Sequence, residues 1–262
     1  MLEKFTEGLT TALGLRATEH VGIVGAGGKT SLMFSLAEEL RMKGCRVVTA
    51  TTTKVWYKEA RRFPRVIISK LDLDWCKTVR TELKTYGHVF VGHGVLETGK
   101  LEGITPGLAE KIYHDSGVDY LVLEADGAAG LPVKAPASHE PVIPSSVTLV
   151  VAMMGLDAVG KALKPEIVFR LERFKRVTGL IDGAKIDFKA IGKIFHSPKG
   201  LFKGSPDSAR RVAFLNKLDL LSDDQEAKDL ANVLLSPPNS LIDRVVIGSI
   251  KEKKYFIIGK KP

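Results

Sequence analysis

The chain has 262 residues, 44% hydrophobic and 26% charged. That ordinary globular mix excludes disordered, collagen-like and silk-like classes. Lysine and arginine number 39 against 30 acids, a formal charge of +9, which directs attention to polyanions such as nucleotides, nucleic acid or an acidic partner.

In chain order, the opening MLEKFTEGLTTALGL carries acids and no long apolar core, so no signal peptide is expected. No apolar run reaches the length of a membrane span, and a cytoplasmic protein without a membrane partner is expected. Short β-branched runs then alternate with helical patterns. Strands are predicted at 20–24, 46–50, 65–68, 88–91, 119–123, 147–152, 211–215 and 244–247, with a last one at 254–258 pairing at an edge. Helices are predicted at 31–42, 74–86, 106–115, 165–177 and 223–235; in the first, Leu32, Leu36, Ala37 and Leu40 have helical spacing. Runs such as VDYLVLE and SVTLVVAMM are continuously apolar, which suits strands buried on both faces of a parallel sheet. A Pro/Gly-rich stretch at 125–145 is long for a connection, and long connections are often functional loops. A second loose region spans 195–207. The reading is one domain, 1–262, with a helical insertion at about 156–206 before the sheet resumes.

Basic residues thicken only at 54–65, 161–176 and 251–261, without the aromatic interleaving of a single-strand-binding groove, so nucleic acid is not the expected partner. Two cysteines, Cys45 and Cys76, are too few for a disulfide framework or a zinc site.

Four segments carry chemistry. In VGIVGAGGKTSLMF a strand runs into Gly25, Ala26, Gly27, Gly28, Lys29, Thr30 and Ser31, and a helix follows. Glycines let backbone N–H groups approach a phosphate, and the helix start adds unpaired amides and a positive dipole end. Lys29 would reach the β- and γ-phosphates, and the Thr30 hydroxyl would hold Mg²⁺. Ile23 stands where the eight-residue phosphate loop needs glycine, so the motif is the shorter G-x-x-G-K-T, which resembles the compact loop of the Mur ligase family. With it, the alternation predicts an α/β fold: a P-loop NTPase-like three-layer sandwich with a mostly parallel central sheet.

In VDYLVLEADGAAG a strand ends in Glu124, with Asp126 two residues on. Either acid can hold Mg²⁺ or its waters beside a phosphate loop, and both are candidate catalytic groups with Lys29. In RRVAFLNKLDLL, Asn216, Lys217 and Asp219 follow a late strand and resemble the N-K-x-D guanine-recognition motif of GTPases. An Asp219 carboxylate can accept from both N1–H and the 2-amino group of guanine, the Lys217 stem can pack over the base, and Asn216 can tie the loop; GTP or ATP is the expected cofactor. In VTATTTKVW, Thr49, Thr51, Thr52, Thr53 and Lys54 end a strand, where they either serve phosphate and Mg²⁺ waters or reflect the preference of Thr for strands. His88 and His93 lack neighbours at ligand spacing, so no metal site is expected there, and His139-Glu140 is either catalytic or part of a rigid loop.

The segments VGAGGKTSLMFSLAEEL, VTATTTKVW, LEADGAAGLPVKAPASHEPVIP, GLDAVGKAL and RVAFLNKLDLL, in that order, resemble the YqeC family of selenium-dependent hydroxylase accessory proteins. EADGAAG…KAP…HEPVIP is the most specific part, since simple phosphate-loop proteins do not need it. The resemblance implies Mg²⁺-dependent nucleoside-triphosphate binding through Lys29, Thr30 and Glu124. It also implies an NTPase acting as an accessory factor in the maturation of molybdenum hydroxylases, with such a hydroxylase or its maturation proteins as partners. An ATP-dependent ligase or small-molecule kinase is the alternative, and a nucleotide-dependent switch with negligible turnover is a third class.

Overall fold

The computed structural model describes residues 3–61, 65–115, 117–221, 223–236 and 240–259. Arg62 of the first basic stretch and Lys260 and Lys261 of the third lie outside the described residues.

A short strand β1 (Glu3–Thr6) and helix α1 (Leu9–Leu13) precede β2 (Glu19–Gly25), which is buried along its whole length. Helix α2 (Lys29–Met42) follows and buries Leu32, Met33, Leu36, Ala37 and Leu40 along one stripe. Next come β3 (Val47–Thr51), β4 (Val55–Trp56), the single turn α3 (Tyr57–Ala60), β5 (Val66–Ile68), α4 (Trp75–Tyr86) and β6 (His88–Gly92). Two short strands, β7 (Gly94–Val95) and β8 (Lys100–Glu102), lead to α5 (Pro106–Asp115) and β9 (Tyr120–Glu124). The second half holds β10 (Val133–Lys134), β11 (Leu149–Gly155), β12 (Val168–Phe169), α6 (Leu171–Thr178), α7 (Phe188–His196), β13 (Arg210–Asn216), α8 (Asp224–Leu235), β14 (Arg244–Ser249) and β15 (Lys254–Gly259).

Ten strands form one sheet in the order β1-β15-β14-β13-β11-β2-β9-β3-β6-β5. β15 runs antiparallel to both β14 and β1, and the other neighbours are parallel. Alternation along each central strand sends its apolar residues to opposite faces. Val21, Ile23, Val122, Val151, Met153 and Phe214 pack with α1 and α2 on one face. Val24, Val150, Ala152, Met154, Ala213 and Leu215 pack with α7 and α8 on the other, and Leu121 and Leu123 join the residues of α4 and α5 there. The result is a three-layer α/β sandwich with a mostly parallel central sheet. The segment 156–206 contributes Leu163, Val168, Phe174, Ile186 and Ile191 to the same apolar cluster as the sheet. No helix among the described residues is long and apolar enough to cross a membrane.

Two elements differ from expectation. The helix expected over 165–177 begins only at Leu171, because Val168 and Phe169 pair in parallel with β10 and Arg170 takes a left-handed φ of 64°. β15 is not an edge strand, since β1 covers its outer side. Helix α7 begins where Asp187 accepts from the Ala190 N–H at 2.7 Å, an N-cap in a region expected to be helical only in outline.

Candidate functional site

The C-terminal ends of β2, β9, β11 and β13 meet along one edge of the sheet, where ligands collect in open α/β folds. The chain between β2 and α2 has to pass very close to its neighbours. A Cβ on Gly27 would sit 2.1 Å from the Gly155 backbone nitrogen, and one on Gly28 would sit 2.6 Å from Asn216 Nδ2. Both residues also have positive φ, 77° and 126°, which leaves glycine as the residue that fits.

The first amides of the loop are spent on the protein. Gly25 N–H donates to Asp126 Oδ2 at 3.1 Å, Ala26 N–H to the Met153 carbonyl at 2.9 Å and Gly27 N–H to the Leu131 carbonyl at 3.0 Å. The amides of Gly28, Lys29, Thr30 and Ser31 meet no protein acceptor among the described residues, as the start of a helix requires, and these residues line a cleft of about 580 Å³. A phosphate is the ligand such a row of donors suits.

Lys29 is buried, and its ammonium donates to the Gly25 carbonyl at 2.8 Å. It lies 3.3 Å from Asp126 Oδ1 and 3.6 Å from Glu124 Oε1. Thr30 Oγ1 donates to Glu124 Oε2 at 2.9 Å. The structure therefore brings together Lys29, Thr30, Glu124 and Asp126, and it separates the two acids. Asp126 has no exposed surface, whereas Glu124 lines the cleft. Burial pushes the Glu124 carboxyl up; Lys29 and Thr30 offset part of that, and the nearby Asp126 adds to it. The Thr30 hydroxyl and the Glu124 carboxylate are hard oxygen donors of the kind Mg²⁺ takes together with phosphate oxygens and water. Among the described residues no group of three His, Cys, Asp or Glu could cage a metal.

Asp126 faces a second cation that the sequence did not single out. Lys134, fully buried, lies 3.0 Å from Asp126 Oδ2 and 2.9 Å from Glu140 Oε2. Glu140 in turn is held bidentately by Arg170, with the Arg170 Nη2 bond at 2.8 Å. Burial alone would raise the Glu140 carboxyl; hydrogen bonds and charge from Arg170 and Lys134 overcome it and hold it at about 2. Loop 125–145 is thus tied by ions to the phosphate loop on one side and to the β12–α6 junction on the other. The signal was a Lys and a Glu in an otherwise Ala/Pro-rich run. Of the His139-Glu140 pair, His139 is exposed and Glu140 is the clamp.

Asn216 spans the other flank: its Nδ2 donates to the Gly27 carbonyl at 2.8 Å and its Oδ1 accepts from Ile250 N–H at 3.2 Å. Lys217, at φ 69°, pairs with Asp157 at 2.7 Å. Asp219 lines a second cleft of about 490 Å³ with Gly28, Ser31, Asn216, Ser249 and Lys251. Ser249 and Lys251, at the end of β14, were not foreseen. The threonine group divides: Thr49 is buried against His88 Nε2 at 2.9 Å, and Thr52 bonds the Val142 carbonyl at 3.2 Å. Thr51, Thr53 and Lys54 line the first cleft.

The family model described as YqeC protein matches residues 21–172. The chain is 34% identical over 197 residues to the uncharacterized protein YqeC of Escherichia coli (strain K12), covering 75% of each. A solved structure of chloroplast FtsY from Physcomitrella patens aligns with 98% of this chain and 66% of its own, at 11% identity and a TM-score of 0.41. On the family match and on the identity to that relative, the chain belongs to the YqeC family.

Proposed function

We propose that this chain binds a nucleoside triphosphate with Mg²⁺ and hydrolyses it as an accessory factor in the maturation of selenium-dependent molybdenum hydroxylases. The observation that carries the nucleotide reading is the convergence of Lys29, Thr30 and Glu124 beneath four unpartnered helix-start amides. In this reading those amides bind β- and γ-phosphate oxygens, and the Lys29 ammonium neutralises them. Thr30 and Glu124 would hold the Mg²⁺, which would supply further charge neutralisation at the phosphates. Glu124, on the cleft wall, orients water toward the γ-phosphate. Asp126, buried between Lys29 and Lys134, positions the lysine and the Gly25 amide. Asp219 reads guanine in the second cleft, which favours GTP over ATP. The hydroxylase or its maturation proteins are the partners that the family resemblance supports.

Steady phosphate release from GTP and Mg²⁺ alone tests the reading, with Lys29→Ala as the inactive control. A second reading, ligase or small-molecule kinase, has its own support. The first cleft extends beyond the phosphate loop to Lys54, Trp56 and Lys100, whose ammonium lies 4.7 Å from the Trp56 ring. That wall suits a small anionic substrate, and the kinase reading requires release only when such a substrate is added.

A further inference from the structure

Loop 136–138 has another face, turned away from the phosphate loop. Together with α6 and the turn after α7 it encloses a pocket of about 500 Å³. Four cations line it, Arg173, Arg176, Lys199 and Lys203, and no carboxylate does. Among the described residues none of the four makes an ion pair; the acids Glu172, on the same helix, and Asp182, in the turn after it, are engaged instead by Lys175, which lies outside the pocket. Lys203 donates to two carbonyls of the pocket wall, Ala137 at 2.8 Å and Ser138 at 2.5 Å, and also to the Glu140 carbonyl at 2.8 Å. Burial and the nearby Arg173 lower the Lys203 ammonium, and the charge of Glu140 offsets only part of that.

We propose that this pocket is a second binding site, which takes the phosphate group of a small organic molecule. Arg173 and Arg176 stand at i and i+3 on α6, so their guanidinium forks share one face, and such forks match phosphate oxygens bidentately. The volume is that of a small-molecule site rather than a flat docking face. Val177, Pro136 and Ala137 give the wall an apolar part for an organic moiety. The pocket is also wired to the first site. Lys203, on its wall, donates to the Glu140 carbonyl at 2.8 Å, and the Glu140 carboxylate is joined through Lys134 to Asp126 and so to Lys29, every link at 3.3 Å or less. Binding here stands on the pocket alone; only the link between the sites rests on the nucleotide reading, and it predicts that each ligand changes the affinity of the other by the same factor.

The test uses the full chain and inorganic pyrophosphate as the probe, titrated by calorimetry without nucleotide. Arg173→Ala/Arg176→Ala removes two partly or fully exposed cations, and circular dichroism checks its fold. Lys175→Ala/Lys189→Ala makes the same charge change outside the pocket. The double arginine variant should bind one equivalent fewer than the parent, or bind it at least about tenfold more weakly, while the lysine control matches the parent. If the phosphate loop takes no phosphate, the parent binds one equivalent and the arginine variant none; if it does, the counts are two and one. The two readings therefore fail separately. Unchanged pyrophosphate binding in the arginine variant overturns the proposal. So does an acidic peptide or a single-stranded RNA that binds the parent more tightly than pyrophosphate and depends on the same two arginines, because the pocket would then be a macromolecular docking surface.

Discussion

The Lys29 ammonium lies 3.3 Å from Asp126 Oδ1, and Asp126 is itself fully buried with Lys134 3.0 Å from its other oxygen. The phosphate-loop lysine is therefore one end of a buried chain of alternating charge, not a free cation on a surface loop. Each member holds its neighbour's charge in a place where an unpaired charge is costly.

Lys29→Ala follows from this in two ways. GTP and ATP binding should be lost, because the cation that meets the β- and γ-phosphates is gone. Folding stability should also fall by about 3–5 kcal/mol, the usual cost of breaking a buried pair and leaving a charge behind. Equilibrium dialysis and urea unfolding read the two effects; a variant that binds GTP like the parent removes Lys29 from the site.

Glu124→Gln should keep nucleotide binding and slow phosphate release. It should also make the nucleotide-free protein more stable at pH 8. Burial raises the Glu124 carboxyl above its ordinary 4.5, so its ionised form is less favourable folded than unfolded. The stability associated with that raised value is fully present below pH 4.5 and is lost as pH rises through the folded pKa. A glutamine has no charge to lose, so the variant's advantage should appear at pH 8 and close toward pH 4. Urea midpoints across that range check it, and an advantage that persists unchanged at pH 4 contradicts the burial argument.

The acid limb of stability should have two stages. His20 and His88 are held neutral chiefly by burial, with pKa values of about 3 and about 4 against an ordinary 6.5. Unfolded chains take up those protons first, so stability is complete above pH 6.5 and declines as pH falls toward 4 and 3. Glu140, held at about 2 against 4.5, adds a second loss between pH 4.5 and 2. His88→Gln should make the first stage shallower, with His20 carrying the rest, and leave the second. Glu140→Gln should flatten the second and, by leaving Lys134 and Arg170 without their carboxylate, lower stability at neutral pH.

The parts of the fold that were legible in the sequence are those whose signal is local. Continuous runs such as YLVLE and LVVAMMG announce strands buried on both faces, and glycines before Lys29 announce a close backbone approach. Asn216 was legible as a loop tie because its motif is contiguous, and its bond to the Gly27 carbonyl at 2.8 Å gives that role a geometry. What was not legible depends on distant partners. Lys134, Glu140 and Arg170 are ordinary charges in the sequence, and only the pairing of β10 with β12 sets Arg170 beside Glu140. The same holds for β1: EKFT is too short to read as a strand until β15 offers it an edge. Ser249 and Lys251 join Asp219 only because β14 lies next to β13 in the sheet.

The base is decided at Asp219. Its cleft abuts the phosphate loop through Gly28 and Ser31, so a base placed there can belong to a triphosphate bound at Lys29. If the carboxylate accepts both N1–H and the 2-amino group of guanine, GTP binds more tightly than ATP, which offers no such pair. Asp219→Asn replaces one acceptor with a donor, so GTP should weaken, while xanthosine triphosphate, with an oxygen at C2, should improve. A fully enclosed polar site can discriminate by ~10⁴ on losing such a pair. Asp219 is only partly buried, so the change here should be smaller, on the order of 10²-fold. Asn216→Ala separates base reading from loop integrity. It removes the bonds to the Gly27 carbonyl and the Ile250 amide, so GTP and ATP should weaken together. Dissociation constants for GTP, ATP and xanthosine triphosphate, measured on the parent and both variants at one Mg²⁺ concentration, give the answer. Equal GTP and ATP affinity in the parent, unmoved by Asp219→Asn, retires the guanine assignment and leaves Asp219 as a residue of the turn after β13.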